Sequence, residues 1–400
     1  MTTQDPESRI AALRRELETA DFDLVEAVAR RQRIVETVAA VKQQAGLPLR
    51  DRLQETTVLE RCEAAARNLG ADPFLIGRIF RELVSHAVRV QEFRTRDSES
   101  RGDAFTVGFQ GTEGAYSHMA ARRHFSYARG AATYHAYPEF RRVVEAVARG
   151  EVDYGVLPIE NSTAGSINET YDLLSTLDVS ITGEEVLSVD HCLAGLERRA
   201  PATLERIYSH PQALAQCSNF LATLRACDAV PCANTALAAE KVRDEANPAQ
   251  AAIASEEAAE RCGLVVLARG IANEPVNLTR FVVIAREPMA CGPGLPCKTS
   301  IVFIARHEQG TLLQCLNALA ERGLNLQKLE SRPRPGSPWE YQFYVDFDGN
   351  TADPVVQDAL ADLERRTLRL RVLGSYPSRT ARDARVERVV DRSSAAPRSK

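Results

Sequence analysis

The absences that matter most in this 400-residue sequence are long apolar runs and an excess of charge of one sign. No apolar run is long enough to cross a bilayer, and the first residues lack the basic start and apolar centre of a secretory signal. The 50 basic and 54 acidic side chains nearly cancel, so a net charge of −4 gives no general attraction to nucleic acid. These absences predict a cytoplasmic protein that binds neither membranes nor nucleic acid.

Clustered cysteine and histidine are also missing. The nine cysteines include no Cys-x-x-Cys pair, which favours reduced thiols that act as small core residues. No Cys/His cluster has zinc-like spacing, and no G-x-G-x-x-G follows a strand in a dinucleotide-binding context. The sequence therefore predicts neither a metal nor an organic cofactor.

The distribution of proline, glycine and charge divides the chain into regions. Only Pro48 and Pro73 interrupt an otherwise helical pattern near the N-terminus, and each predicts a break between helices. The predicted regions are a helical domain at 1–95, a charged linker at 96–104, alternating strands and helices at 105–286, a smaller α+β unit at 298–376, and a disordered tail at 377–400.

The first predicted helix, residues 7–44, is too extended to bury its apolar side chains alone, which predicts pairing with a second chain. Arg31 and Lys42 lie about 20° apart around its axis and about 16 Å apart along it, so both could reach one small anion. Arg14 lies about 100° off that face, so it would serve the same ligand only in a partner's site. Solvated surface charge is the commoner fate of such side chains.

Residues on this helix and after it match a known family by type and spacing. They are Leu13, Arg14, Asp21, Arg30, Arg31, Gln32, Arg33, Lys42, Pro48, Leu49, Arg50, Asp51, Glu55 and Gln91. With this set the region resembles the all-helical chorismate mutase family, which forms an intertwined homodimer whose sites take residues from both protomers.

The resemblance implies roles for the polar side chains. Arg31 and a partner's Arg14 would bind the two carboxylates of chorismate, and Lys42 and Gln91 would hydrogen-bond its ether oxygen. A Claisen rearrangement transfers no proton and needs no nucleophile. Fixed cations can hold the reactive conformer and stabilise charge on the breaking ether bond.

Further positions complete or depart from the family pattern. Asp51 and Glu55 would orient the ring hydroxyl of chorismate. Gln54 stands where the family often has Arg, and Ala87 stands at a substrate-binding position where it often has Ser. A degenerate mutase beside an active second enzyme is therefore an alternative.

The middle region is organised around residues 158–165, Pro-Ile-Glu-Asn-Ser-Thr-Ala-Gly. This stretch connects an apolar strand to a helix, the position at which open α/β sheets place ligands. An ordinary polar connection explains that stretch alone equally well. Further along, residues 185–193 are predicted to form one apolar strand.

Four stretches together, residues 158–165, 190–193, 209–217 and 277–281, resemble the prephenate dehydratase catalytic domain. The resemblance implies two α/β lobes related to periplasmic ligand-binding proteins, with the active site in the cleft between them. It implies loss of water and carbon dioxide from prephenate to give phenylpyruvate, with Thr279 as the catalytic hydroxyl. The implied substrate-binding residues are Asn161, Ser162, Ser209, Gln216, Thr235 and Arg280.

A threonine hydroxyl is a poor acid, so a proton relay behind Thr279 is expected. Our hypothesis is that Glu160 supplies this proton. A carboxylate that caps a local turn explains Glu160 equally well.

Residues 298–376 show strand and helix patterns in the order β-α-β-β-α-β, which predicts a ferredoxin-like fold. This unit resembles the phenylalanine-binding ACT domain, although Thr311 stands where that family commonly has Ala. The implied phenylalanine-binding residues are Gly310, Thr311, Leu312, Asn325, Leu326, Glu330, Ser331, Arg332 and Pro333. A folded unit that binds nothing is the alternative.

The three resemblances together are those of the bifunctional mutase–dehydratases of phenylalanine biosynthesis. They imply a multidomain homodimer that uses chorismate and prephenate and is inhibited by phenylalanine. The rival interpretation is a sensor of an amino acid or aromatic acid, built on a two-lobed ligand-binding domain. A sensor would produce no phenylpyruvate from chorismate, and an enzyme with a degenerate mutase would act only on added prephenate.

Overall fold

The computed structural model describes residues 6–45, 52–97, 104–126, 128, 130–224, 227–289, 291, 297–306, 308–334 and 340–378. The chain forms two compact units, Met1–Glu99 and Ser100–Lys400. None of the described helices combines the length and apolarity needed to cross a membrane. Nearly all of the predicted tail, from residue 379 onward, lies outside the described residues.

The described part of the first unit is helical, as predicted. Its helices are α1 (Pro6–Gln44), α2 (Arg52–Asn68) and α3 (Pro73–Asp97). Pro73 opens α3, a position at which the missing N–H has no intrahelical partner to lose. Because α3 continues to Asp97, the predicted boundary between helix and linker at residue 96 is two residues too early. Charged side chains without an apolar period can extend an existing helix at little cost.

Helix α1 leaves many large apolar side chains exposed within the described chain. They are Ile10, Leu13, Leu17, Phe22, Leu24, Val25, Ile34, Val38 and Val41. The expectation that this helix is too extended to bury itself is therefore confirmed for the single chain.

The second unit begins with an α/β lobe. Its first elements are β1 (Ala104–Gln110), α4 (Tyr116–Phe125), β2 (Ala131–Tyr137), α5 (Phe140–Arg149), β3 (Tyr154–Asn161), β4 (Gly165–Ser166), α6 (Asn168–Thr176) and β5 (Ser180–Ser188). Helix α5 buries an apolar stripe that contains Val143, Val144 and Val147 against this lobe.

A second, smaller lobe follows. It contains β6 (Cys192–Gly195), β7 (Arg206–Ser209), α7 (Pro211–Gln216), α8 (Ser218–Leu221), β8 (Asp228–Pro231), α9 (Thr235–Glu245), β9 (Gln250–Ala254), α10 (Glu256–Arg261) and β10 (Val265–Ala268). The strand order is β10-β6-β9-β7-β8. Small residues dominate its core, so strands and helices approach closely.

The chain then returns to the first lobe with β11 (Leu278–Ala285). This strand lies between β3 and β5 and is antiparallel to both, which gives the sheet order β2-β1-β3-β11-β5. The chain therefore crosses between the lobes twice, after β5 and before β11, and the residues at both crossings lie where the lobes meet.

The first crossing corrects one prediction. Residues 185–193 are not one strand, because β5 ends at Ser188 and β6 begins at Cys192 in a different sheet. Val186 and Leu187 of β5 and Cys192 and Leu193 of β6 are buried, and apolar residues so close in sequence do not show whether they belong to one strand or to two. Between the two strands lie Val189, the exposed Asp190 and the buried His191.

The C-terminal part of the second unit has the predicted β-α-β-β-α-β order. Its elements are β12 (Cys297–Ala305), α11 (Thr311–Ala320), β13 (Leu326–Pro333), β14 (Tyr341–Asp348), α12 (Pro354–Arg366) and β15 (Thr367–Pro377). The antiparallel sheet has the order β13-β14-β12-β15, a ferredoxin-like arrangement. We refer to this sheet as the third sheet.

The two faces of the third sheet belong to different cores. Ile301 and Val345 face α11 and α12, whereas Val302, Tyr344 and Tyr376 join the core of the first lobe. Side chains alternate across a strand, so one sheet can complete two cores. The ferredoxin-like part is therefore packed against the first lobe and is not a loosely attached appendage.

The close approach of β15 to β5 requires a glycine. A Cβ atom at Gly374 would overlap the backbone carbonyl of Ile181. We expect Gly374→Ala to destabilise the second unit by about 2 kcal/mol or more, because backbone atoms cannot move aside as a side-chain end can. Thermal and urea unfolding of the full chain would measure this.

Gly195→Ala is the matched control, since its Cβ would come nearest to the flexible end of Leu267, at 3.0 Å. Its effect should be clearly smaller. A Gly374→Ala protein with wild-type unfolding behaviour would contradict the proposed close packing of β15 on β5.

Candidate active site

Thr279 lies near the start of β11, directly opposite Asn161 at the end of β3. The residue is only 7% exposed. The Asn161 Nδ2 group donates a hydrogen bond to Thr279 Oγ1 at 2.8 Å. Thr279 Oγ1 is thus an acceptor, and its own hydrogen has no acceptor among the residues that the structure describes. The hydroxyl is positioned to donate to a ligand.

Four side chains form a closed ring of hydrogen bonds behind this hydroxyl. Asn161 Nδ2 donates to Asn277 Oδ1 at 2.7 Å, and Asn277 Nδ2 donates to Gln216 Oε1 at 3.1 Å. Gln216 Nε2 donates to Thr163 Oγ1, and Thr163 Oγ1 donates to Asn161 Oδ1, both at 2.7 Å. Each amide therefore has a defined orientation, which fixes the direction of the Asn161–Thr279 bond.

The turn after β3 holds Asn161 in place through local bonds. Asn161 Oδ1 accepts hydrogen bonds from the backbone N–H of Thr163 at 3.1 Å and of Ala164 at 2.8 Å, as in an Asx turn. The N–H of Ser162 donates to the Leu278 carbonyl at 2.8 Å, and the Leu278 N–H donates to Ser162 Oγ at 2.9 Å. These bonds connect the turn directly to the start of β11.

His191 also belongs to this site, although the sequence did not single it out. Its ring is 4% exposed and its Nε2 lies 3.0 Å from Gln216 Oε1. Burial lowers the pKa of His191, so the imidazole is neutral at pH 7. Because Gln216 Oε1 is an acceptor, Nε2 carries the hydrogen, and the buried Nδ1 has no partner among the described residues.

Two helix starts, one from each lobe, lie near the same junction. Tyr116, the first residue of α4, donates its hydroxyl hydrogen to the Asp190 carbonyl at 3.0 Å. The loop after β1 lies against the start of α9. A Cβ atom added at Gly111 would be 3.6 Å from Asn234 Nδ2. Asn234 caps α9, whose first residue is the buried Thr235. Helix N-termini favour anions, which suits a dicarboxylate substrate.

Ser209 is engaged elsewhere. It is fully buried at the end of β7, and its hydroxyl donates to the Ile253 carbonyl of β9 at 2.6 Å. The structure therefore gives Ser209 a bond within the second lobe and not one to Thr279 or its ring of amides.

Arg280 and Glu160 lie on the opposite face of the sheet from Thr279. Thr279 pairs with Asn161 and Arg280 pairs with Glu160, and adjacent residues of a strand point to opposite faces. Arg280 Nη1 is 2.8 Å from a carboxylate oxygen of Asp346 in the third sheet. The prediction that Arg280 contacts substrate beside Thr279 is contradicted by this placement.

The hypothesis of a Glu160 relay is contradicted for the same reason. The Glu160 carboxylate lies 2.8 Å from Lys328 Nζ and 3.4 Å from Arg280 Nε. It is engaged by cations on the far side of the sheet, so it cannot pass a proton to Thr279. The turn-capping alternative is not supported either, because its partners are these two cations.

In the first unit, Arg31 connects α1 to α3. Its Nη1 donates to the Leu83 carbonyl at 2.8 Å, and burial lowers the pKa of its guanidinium. The adjacent Gln32 lies 3.5 Å from His86, the neighbour of the buried Ala87. The structure thus brings Arg31 close to the segment that contains Ala87.

The remaining predicted mutase residues are placed only in part. Arg14 is exposed on α1 and Lys42 is partly buried near its end. Asp51 lies outside the described residues, as do the side chains of Glu55 and Gln91.

The predicted phenylalanine-binding residues fall at two ends of the ferredoxin-like part. Gly310 caps α11 with φ +79°, and the buried Thr311 and partly buried Leu312 begin that helix. Asn325 and Leu326 follow its far end, where Asn325 Nδ2 donates to Asp348 at 3.0 Å. Helix α11 has ten residues and therefore separates these sets by about 15 Å.

The other end of β13 contacts the first lobe. Arg332 forms two hydrogen bonds to Asp172, the shorter at 2.7 Å, and the Glu330 carboxylate accepts a bond from Ser166. Ser331 and Pro333 alternate with these residues and are exposed. Within one chain, therefore, Glu330 and Arg332 bind the catalytic lobe.

Comparisons with known proteins agree with this arrangement. The prephenate dehydratase family matches residues 107–289, and the chorismate mutase type II family matches residues 13–92. A bifunctional chorismate mutase/prephenate dehydratase of Enterobacter agglomerans is 35% identical over 376 residues, which cover 94% of this chain and 97% of that protein.

Solved structures resemble the second unit. A prephenate dehydratase from Arthrobacter aurescens in complex with L-Phe is 30% identical, with a TM-score of 0.61 over 72% of this chain and 97% of that chain. A protein described as a novel type of quorum-quenching acylase is 34% identical, with a TM-score of 0.62 over 69% and 99% of the two chains.

The matches to both catalytic families, and a relative that is similar over nearly the whole of both chains, exclude a sensor without enzymatic activity. The chain belongs to the bifunctional chorismate mutase/prephenate dehydratases and has both enzymatic activities.

Proposed function

We propose that the first unit converts chorismate to prephenate, that the second converts prephenate to phenylpyruvate, and that phenylalanine inhibits the second step. The observation that carries the chemical assignment is the Thr279 hydroxyl, which accepts a bond from Asn161 and has its own hydrogen available. This arrangement suits donation to a departing oxygen.

In the dehydratase step, the bond between the prephenate ring and its carboxylate breaks, and carbon dioxide leaves. The electron pair enters the ring and expels the ring hydroxyl group, which takes up a proton and leaves as water. Aromatisation supplies the driving force. Thr279 donates a hydrogen bond to the departing oxygen while negative charge develops there, in a buried site where such a bond is strong.

The ring of amides orients Thr279 and contacts the substrate. Asn161 fixes the Thr279 oxygen, Ser162 fixes the adjoining turn, and Gln216 is directed by His191 and Asn277. The substrate carboxylates would lie near the starts of α4 and α9, where N–H groups without helical acceptors and Thr235 are found.

An acylase activity is not favoured by the same geometry. A hydroxyl nucleophile must give its proton to an adjacent base. The bond to Thr279 Oγ1 comes instead from the Asn161 amide, which donates and cannot accept a proton. We therefore assign Thr279 the role of a hydrogen-bond donor.

For the mutase step, Arg31 would bind one carboxylate of chorismate, and Lys42 would hydrogen-bond its ether oxygen. Arg14 of the partner subunit would bind the second carboxylate. The exposed apolar side chains of α1 support pairing with a second copy, because an isolated helix of this length would leave them in water. Gln91, Asp51 and Glu55 retain the roles that the family resemblance implies.

For regulation, we infer a phenylalanine site built from two copies of the ferredoxin-like part, which acts as an ACT domain. Gly310 and Asn325 are about 15 Å apart along α11, so one amino acid cannot contact both within a single chain. A second copy could bring the two ends together. The L-Phe bound in the related Arthrobacter dehydratase supports this ligand.

We expect Thr279→Ala to lower dehydratase kcat by roughly 100-fold or more, since it removes the donor to the leaving oxygen. Mutase turnover in the same preparation should be unchanged and serves as the folding control. Thr279→Ser, which keeps the hydroxyl, should retain much of the activity. Phenylpyruvate formation from added prephenate, followed by absorbance, measures all three, and a fully active Thr279→Ala protein would refute the assignment.

The shared mutase site predicts complementation between two inactive variants. Arg14→Gln and Arg31→Gln homodimers should each lack mutase activity. A one-to-one mixture refolded together should recover about a quarter of wild-type activity, because half of the dimers then contain one intact site. If both arginines served the same protomer's site, no activity would return.

Feedback inhibition predicts reciprocal coupling between prephenate and phenylalanine. Calorimetry on the Thr279→Ala full chain, which should turn prephenate over only slowly, should show that each ligand weakens the binding of the other by the same factor. That factor should be on the order of 5–150-fold. Alanine is the control ligand and should not bind. Equal phenylalanine affinity with and without saturating prephenate would contradict the inhibition.

A further inference from the structure

A cluster of six charged side chains lies on the face of β3 and β11 opposite Thr279. We name it the junction cluster, and it consists of Glu160, Glu184, Arg280, Lys298, Lys328 and Asp346. Half of these residues come from the first lobe and half from the third sheet. Its three cations and three carboxylates connect the catalytic lobe to the ferredoxin-like part.

The centre of the junction cluster is deeply buried. Glu184 is fully buried and accepts two hydrogen bonds from Lys298 Nζ, at 2.7 and 2.8 Å. Arg280 Nη1 donates to Glu184 at 3.3 Å and lies 2.8 Å from Asp346. Buried charges of this kind require complete pairing, and removing one partner leaves another uncompensated.

Asp346 is the nearest of the three carboxylates that contact Arg280. Burial raises the pKa of Asp346, but Arg280 and Lys298 outweigh this effect and lower it, so the carboxylate is ionised. Ser300 donates a further hydrogen bond to it at 2.6 Å. Arg280 makes its contacts with Asp346 and Glu184 through the single atom Nη1, and its Nη2 has no hydrogen-bond partner among the described residues.

The anchored residues are direct neighbours of the site residues along the chain. Arg280 follows Thr279 on β11, and Glu160 precedes Asn161 on β3. Fixing the outer side chains of two paired strands fixes the inner ones, because the side-chain directions alternate rigidly. The Asn161–Thr279 bond therefore depends on how Arg280 is held from the third sheet.

We propose that Asp346 is a positioning residue for the dehydratase reaction and acts through Arg280 to hold Thr279 at its working distance from Asn161. This proposal rests on the role proposed for Thr279. It assigns to the ferredoxin-like part a contribution to catalysis even when no phenylalanine is bound.

Asp346→Asn in the full chain tests the proposal. It should lower dehydratase kcat by about tenfold to 100-fold, since small displacements of a reacting group are costly. The KM for prephenate should change little, because substrate contacts remain. Mutase activity of the same protein should stay at the wild-type level. A dehydratase kcat equal to wild type would overturn the proposal.

Asp362→Asn is the matched control. Asp362 is also a buried carboxylate of the ferredoxin-like part, and it binds three arginines, Arg322, Arg365 and Arg366, at 3.1–3.3 Å. It lies on α12, in the layer that covers the other face of the third sheet. Its loss should reduce stability without lowering dehydratase kcat. If both variants lower kcat equally, the effect of Asp346 is only structural and the proposal fails.

A double-mutant cycle separates coupling from general damage. Arg280→Gln and Asp346→Asn should each lower kcat, and the double variant should be no worse than the more damaged single variant, because both act on one interaction. If the reductions in kcat of the two single variants multiply in the double variant, the proposal would be overturned. If Asp346→Asn does not fold, Arg280→Lys, which keeps the charge but is too short to place a nitrogen at the position of Nη1, should still lower kcat with KM retained. An unchanged kcat in that variant would overturn it.

Thr279→Ala keeps the two proposals distinct. A Thr279→Ala protein with wild-type turnover would remove the proposed chemistry itself. An inactive Thr279→Ala protein beside an Asp346→Asn protein with wild-type kcat would remove only the positioning role.

Discussion

The arrangement of the catalytic unit depends on the alternation of side chains along two paired strands, β3 and β11. On one face, Asn161 and the buried Thr279 meet in a hydrogen-bonded site. On the other face, their neighbours Glu160 and Arg280 enter the junction cluster with residues of the third sheet. These two strands thus separate the Asn161–Thr279 pair from the ferredoxin-like part of the molecule. Neither face can shift without the other, because the backbone between them is held in a sheet.

The sequence predicted much of this architecture from pattern alone. The long first helix, the alternating α/β region and the β-α-β-β-α-β order all have strong periodicities, and the structure confirms them. Thr279 and Asn161, both named as site residues from the sequence, lie within 2.8 Å of each other in the structure, and their roles stay predictions. Their stretches are polar breaks in otherwise apolar strands, and such breaks are visible in a sequence.

The misplaced residues share one physical cause. A strand's sequence shows which side chains alternate, but not which neighbouring layer covers each face. Arg280 and Glu160 stand beside Thr279 and Asn161 in the chain, so proximity suggested a shared role. The third sheet, which covers their face, comes from residues far downstream. His191 was missed for a related reason: the sequence does not show that the fold brings its ring to Gln216, whose amide oxygen also accepts a bond from Asn277.

The sharing of one core between the first lobe and the third sheet also sets an order of events during synthesis. The sheet that presents Thr279 lacks the strand between β3 and β5 until residue 285 has been made. The core beneath it lacks Tyr376 until residue 376 has been made. The last described helix of the first unit, by contrast, ends at Asp97. A growing chain therefore contains the described helices of the first unit long before the core of the second can close, and a chain that stops before residue 376 would lack part of that core.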